Sequence, residues 1–158
     1  SSGGGPELPP LPPRPPPLSF PTSALAAFAL VVASSASFAL TAAGITILHN
    51  SGVYADEDIE KGINVLEESH EGFNARYGIR SRGHYYFWYG HYYAVQAFHM
   101  VGGARYRNYF EKIQNTLLNL QLEDGSWPNE VGPGKVYGTA TACLVLQIPM
   151  EYLPIFQR

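Results

Sequence analysis

Gln121-Leu122-Glu123-Asp124-Gly125-Ser126-Trp127, with Leu117 four residues ahead of it, is the stretch that decides the fold. It has the form Q-x3-G-x-W and leads into the helix-like run Tyr137 to Leu146. A Gln amide at a helix end can lie on an indole and still bond backbone groups that the helix leaves orphaned. Asp124-Gly125-Ser126 supplies a turn: a short polar side chain, a residue free to take positive φ, then a cap. The unit therefore predicts a staple across the end of a helical hairpin, built from Gln121, Asp124, Gly125 and Trp127.

Working outward, the same grammar occurs twice. Ala43 to Leu48 is apolar, Ser51-Gly52-Val53-Tyr54 reads as a turn, and Asp56 to Ser69 carries Ile59, Ile63 and Leu66 on one helical stripe before Glu71-Gly72-Phe73. About 50 residues later come Ala94 to Val101, the turn Gly102-Gly103, and Tyr109 to Leu120 with Phe110, Ile113, Leu117 and Leu120. Gly52 matches Gly103, Ile59 matches Phe110 and Leu66 matches Leu117 at one offset. A third unit opens at Thr139-Ala140-Thr141-Ala142 and echoes Thr41-Ala42-Ala43. The expected class is all-α, with two and a half helical hairpins. Hairpins of this kind bury their apolar faces against neighbouring hairpins.

The 158 residues allow one ordinary domain, and a hydrophobic content of 46% is enough for a core. Tyr (11) outnumbers Phe (8), so much of the aromatic surface carries a hydroxyl in need of a partner. The net charge of −3 comes without a basic cluster, which argues against a nucleic-acid partner. The single cysteine, Cys143, excludes an internal disulfide. It lies in the apolar run Ala140 to Leu146 and is expected to pack as a small hydrophobe.

Three segments divide the chain. Residues 1–18 are rich in Ser and Gly, then Pro, and Pro9-Pro10-Leu11-Pro12-Pro13-Arg14 fits the P-x-x-P-x-R form that SH3-type grooves accept. A Pro-rich disordered tail is the plainer reading. Residues 19–36 are Ala/Ser-rich and apolar, and nothing between 19 and 48 carries a formal charge. Ser23 to Leu48 is long enough to cross a bilayer. Its Ala, Ser and Thr content, and Gly44, fit one or two buried helices instead, the second from about Ser37 to Asn50. Cytoplasmic and membrane-associated settings both fit. Residues 37–158 form the helical repeat domain.

From about Ser37 to Arg158 the chain resembles the prenyltransferase/squalene oxidase repeat proteins, the QW-repeat members of the terpenoid cyclase/protein prenyltransferase superfamily, in their planctomycete-like forms. The residues that carry the resemblance are Ser37 to Gly44, Tyr89-Gly90-His91-Tyr92-Tyr93-Ala94, Asp124-Gly125-Ser126-Trp127, and Ala142 to Pro149 with Tyr152 to Arg158. Residues 1–34 fall outside it, and their bias is also that of GC-rich DNA read in a shifted frame. The resemblance implies an α/α toroid of paired helices. A closed ring in that superfamily takes about six hairpins, so self-association or upstream repeats are expected to complete it. The role it implies is a scaffold, or a module that binds an apolar, isoprenoid-like ligand. The alternative is the C-terminal part of a cyclase or prenyltransferase whose catalytic acids lie upstream.

The superfamily's chemistry leaves little trace here. Asp56-Glu57-Asp58-Ile59 lacks the last Asp of D-x-D-D, and its position at a helix start makes its carboxylates caps and dipole partners. D-D-x-x-D is absent. Cys143 lacks a carboxylate two residues before it, so the zinc set of the protein prenyltransferases is not met. No cofactor or metal is expected, and no catalytic residue is assigned.

One segment is a candidate ligand wall: His84 to Met100. At about 100° per residue His84, Trp88, His91, Val95 and His99 share a face, and Gly90, Ala94 and Ala97 share another that admits a close neighbour. The three His lie seven and eight residues apart, roughly 10–12 Å along the axis, too far to grip one metal ion. One reading is a Tyr/Trp/His wall facing a cavity, with His91, Trp88, Tyr92 and His84 as the ligand-binding residues and His91 as a proton donor or acceptor. The other is packing between helices, with His and Tyr bonded to helix ends.

Overall fold

The structure, a computed structural model, describes residues 38–52 and 57–151. They are all-α: α1 (Phe38–Asn50), α2 (Glu57–Phe73), α3 (Tyr85–Val101), α4 (Gly103–Leu120) and α5 (Lys135–Gln147). A π-helical segment, Asn74–Ile79, continues α2, and a turn of 3-10 helix, Ile148–Met150, follows α5. The described residues contain no β-strand.

The two hairpins run as expected. Acids crowd the first turn of α2, where Glu57, Asp58 and Glu60 meet the positive end of the helix dipole. Glu57 and Asp58 also pair with Lys61 one turn on, at 2.8 and 3.9 Å. These carboxylates are helix-start groups. Ile59, Ile63 and Leu66 are buried together on one stripe, against Ile45 of α1. α1 and α2 lie side by side and antiparallel: Gly62 faces Thr41 and Ile45, while Phe73 stacks on Phe38 with ring centroids 4.4 Å apart. α3 and α4 form the second hairpin across the single residue Gly102, and Phe98 stacks on Tyr109 at 4.2 Å. α5 is the half unit.

The helices fall into two rows. α3 packs against α1 on one side and α5 on the other. α2 and α4 lie behind them, running parallel and laced by ion pairs: Arg105 to Glu60 at 3.0 Å and to Glu67 at 3.7 Å, and Lys112 to Glu71 at 3.4 Å. Composition follows the rows. α1 and α3 contain no Asp, Glu, Lys or Arg, and α5 contains only Lys135. α2 and α4 are amphipathic and charged on their outer faces. A helix that is apolar all round is covered on both sides, and α3 is the clearest case, with Phe87, Trp88, His91, Ala94, Val95, Ala97 and Phe98 fully buried.

Two expectations are corrected. The second helix does not stop at Ser69; the chain runs on through Phe73 into the π-helical segment. Asn74 is held there by buried partners on α2 and α3, which offset the looser helical geometry. Cys143 is exposed, because α5 turns Thr141, Ala142 and Val145 inward and leaves Cys143 on the opposite side. The N-terminal readings, the Pro-rich tail and the apolar 19–36 segment, lie outside the described residues. Within 38–48 the candidate bilayer segment is a helix packed against α2 and α3. Among the described residues no helix is long and apolar enough to cross a membrane.

The loop before α3 is set by one close approach. Gly83 has φ +77°, and a Cβ built there would lie 2.1 Å from the Pro128 carbonyl oxygen. That carbonyl accepts the indole N–H of Trp88 at 3.2 Å. Gly83→Ala must therefore both adopt a left-handed backbone and push the loop away from Trp88. The expected loss is about 2–3 kcal/mol, read as a drop in the urea midpoint with unchanged slope. An unchanged midpoint would mean the loop gives way at no cost.

Candidate functional site

The loop Gln121–Gly134 folds over the end of α4, and Trp127, not Gln121, bonds a helix carbonyl there. Gly125 takes φ +80°, and Asp124 accepts hydrogen bonds from the backbone N–H and the hydroxyl of Ser126. Those bonds, and Lys135 at 3.2 Å, hold the Asp124 carboxyl down at about 2. Gln121 donates to the Gly125 carbonyl at 2.9 Å and closes the loop on itself. The orphan carbonyl at the end of α4 is bonded by the tryptophan instead: the indole N–H of Trp127 donates to Leu117 O at 2.8 Å. Trp127 is buried, and its backbone N–H donates to the Thr139 hydroxyl at 3.0 Å, tying the loop to α5.

The four residues expected to line a ligand wall are not brought together. Trp88 and His91 are fully buried in the core. His84 precedes α3, and its Nδ1 accepts from the Tyr86 N–H at 3.1 Å, capping the helix start. Its ring stacks on Tyr85 and Tyr86. Tyr92 alone lines an open recess. With Tyr89, Tyr93, Tyr137, Thr141 and Leu144 it borders a groove of about 260 Å³ between α3 and α5. Burial and the neighbouring Tyr93 and Tyr137 push the Tyr89 phenol up, and burial pushes Tyr137 up. A second recess of about 690 Å³, beside the start of α1, is lined by Phe38, Leu40, Phe73, Tyr77, Tyr86 and Tyr89 among others. The two recesses share Tyr89, so an aromatic floor runs from α1 across α3 to α5.

A separate polar cluster lies inside the core. His91 Nδ1 bonds the Tyr109 hydroxyl at 2.8 Å, and His91 Nε2 bonds Asn74 Oδ1 at 2.6 Å. Asn74 Nδ2 bonds His70 Nε2 at 3.2 Å. Phe38, Phe73 and Phe87 close around His91 with ring centroids 5.3, 5.4 and 4.6 Å away. Burial drives the His91 imidazole well below its usual range and the Tyr109 phenol well above its own. His70 is lowered to about 4, chiefly by burial. Both imidazoles are therefore neutral near pH 7. His91 thus bridges α2 and α4 from its place on α3, a packing role in which it faces no solvent.

Sequence reasoning missed His70, Asn74 and Tyr109. One signal was present. His70 continues the Ile59, Ile63, Leu66 stripe at the next helical step, and a polar residue on an apolar stripe requires a buried partner. Tyr93 and Tyr137 in the groove carried no comparable signal, since aromatics on a helix read equally as core. Comparison of the chain with protein-family models, curated proteins and solved structures returns no match.

Proposed function

We propose that the chain is a hairpin-repeat module of the terpenoid cyclase/prenyltransferase type that binds an apolar, isoprenoid-like ligand along the open side of the α1–α3–α5 row. The observation that carries this reading is the aromatic floor of Phe38, Phe73, Tyr77, Tyr86, Tyr89, Tyr93 and Tyr137 shared by the two recesses. An elongated apolar molecule matches two recesses joined at Tyr89. Neutral phenols in the α3–α5 groove give π faces to a polyene. That groove is lined by tyrosines, Thr141 and Leu144, which suits binding or scaffolding, while the larger recess also carries Glu68 and Arg76.

The test uses farnesol as probe and the chain's own tyrosine and tryptophan fluorescence as readout. Saturable quenching is expected, weakened at least about fivefold by Tyr93→Ala or Tyr137→Ala, the loss of an aromatic wall costing about 1 kcal/mol or more. Quenching that neither variant changes would place the probe elsewhere and sink the reading.

A second reading, that this is the C-terminal part of a cyclase or prenyltransferase, draws on the exposed side of α1. Leu40 and Ile47 of α1 are 49% and 46% exposed, about two helical turns apart, on a helix free of Asp, Glu, Lys and Arg. That is the side on which a preceding hairpin or a second copy would pack.

A further inference from the structure

The larger recess, of about 690 Å³, is not uniformly apolar. Five of its lining residues are aromatic: Phe38, Phe73, Tyr77, Tyr86 and Tyr89. Four of the rings follow one another, Phe38 to Phe73 at 4.4 Å, Phe73 to Tyr77 at 5.2 Å and Tyr77 to Tyr86 at 5.8 Å between centroids. Two lining residues carry formal charge, Glu68 and Arg76. Ala39, Leu40 and Gly72 add no polar side chain, and the Ser69 hydroxyl is spent on the Val65 carbonyl at 2.6 Å.

The two charges stand apart. Both side chains are exposed, eight residues from each other on the continuous run of α2 into its π-helical segment, roughly 10 Å along the axis. Among the described residues neither has a partner of opposite charge, and the Arg76 guanidinium rests over the Tyr77 ring, 5.2 Å from its centre. The neighbouring acids on α2 are engaged: Glu67 with Arg105 at 3.7 Å and Glu71 with Lys112 at 3.4 Å. One carboxylate and one guanidinium are therefore left in the same recess, unjoined, around a run of aromatic rings.

Each feature excludes a class of ligand head. A lone anion meets Glu68, and a lone cation meets Arg76. An uncharged head gains nothing from either. A zwitterion satisfies both at once. The walls select its cation: π faces attract a cation without hydrogen-bonding it, which suits a quaternary ammonium. A primary ammonium has three protons to place, and Glu68 is the one charged acceptor in the lining. The anion falls to Arg76, whose planar fork fits phosphate.

We propose that this recess holds a phosphocholine-type zwitterionic head group, its quaternary ammonium among the aromatic rings beside Glu68 and its phosphate on Arg76. Tyr89 belongs to both recesses, so the apolar tail of the same ligand passes it into the α3–α5 groove. The ligand is then a single-chain amphiphile. Its tail rests on the apolar reading given above; its head rests on the recess alone.

The experiment is calorimetric titration of the full chain with n-hexylphosphocholine, n-hexyl phosphate, n-hexyltrimethylammonium and n-hexanol, which share one tail. The zwitterion should bind at least about tenfold tighter than the alcohol and about fivefold tighter than either singly charged probe. Glu68→Gln should weaken the zwitterion and the ammonium about fivefold and leave the phosphate no weaker. Arg76→Gln should weaken the zwitterion and the phosphate about fivefold and spare the ammonium. Tyr86→Leu should cost the ammonium and the zwitterion about threefold. All three side chains are exposed, and unchanged melting temperatures verify the folds. Equal binding of hexanol and the zwitterion, tighter binding of a singly charged probe, or charge variants without the crossed pattern would each overturn the proposal. In those cases farnesol binding sensitive to Tyr93 and Tyr137 still leaves the apolar reading standing. Tail-free phosphocholine that binds with the same Glu68 and Arg76 dependence upholds the head site even where farnesol does not bind.

Discussion

Trp127→Ala should lower the stability by about 3–5 kcal/mol, the usual cost of emptying a buried tryptophan site. For a chain of this size that is a fall in Tm of about 10 °C or more. Two losses combine. The indole is buried against the end of α4, and its N–H bonds the Leu117 carbonyl. Trp127→Phe separates them: it keeps most of the ring and leaves the carbonyl without its donor, for about 1–2 kcal/mol. Thermal unfolding of both variants checks the claim. An alanine variant that melts with the wild type would show that the Gln121–Gly134 loop stands outside the cooperative unit, and the hairpin staple would then be no staple.

Acid should unfold the protein well before its carboxylates titrate. The unfolded His70 imidazole takes up a proton below about pH 6.5, the ordinary value of the group, while the folded one stays neutral to about 4. In that window the unfolded state binds more protons, so stability falls as pH falls. One histidine costs about 1.4 kcal/mol per pH unit there, or about 3 kcal/mol in all for His70. His91, also lowered, by burial first and then by His70, adds a parallel loss of the same sign. Asp124 acts separately: with its carboxyl held at about 2, its contribution is lost only below about pH 4. Urea unfolding at pH 7 and pH 5 measures the slope. His70→Gln keeps an acceptor for Asn74 and cannot titrate, so it should remove about 1.4 kcal/mol per pH unit from that slope. A wild-type stability flat from pH 7 to 5 would show the imidazoles to be solvated and the buried polar cluster to be absent.

How much of this was legible depended on whether a helix faced water. α2 and α4 do, so Ile59, Ile63 and Leu66, and then Ile113 and Leu117, stood out against charge and marked the buried stripe directly. α1, α3 and α5 carry almost no charge whether or not a side faces water, and an uncharged run fixes where a helix lies but not which side faces its neighbour. That is why Trp88 and His91 could be read as a wall and proved to be core, while Tyr89, Tyr93 and Tyr137 were not singled out as ligand-binding residues. The Asn74–Ile79 segment was hidden for another reason. Glu71-Gly72-Phe73 has the local chemistry of a turn, and what overrides it is a pair of tertiary bonds from Asn74 to His70 and His91. A contact across seventeen residues leaves no mark on local pattern.

The central place of α3 also bears on how the chain is made. Phe38 and Phe73 belong to the first hairpin, yet both pack on His91, and Phe38 and Phe73 also crowd Gly90. A ribosome that has released α1 and α2 has therefore delivered a hairpin still without its α3 cover. Another 28 residues, from Asn74 to Val101, must be added before the cover is complete, which at about 5–20 residues per second is a wait of a few seconds. During that interval the nascent hairpin lacks the α3 side of its phenylalanine cluster, and its fate rests on what meets that surface first: a holding chaperone, another nascent chain, or its own third helix.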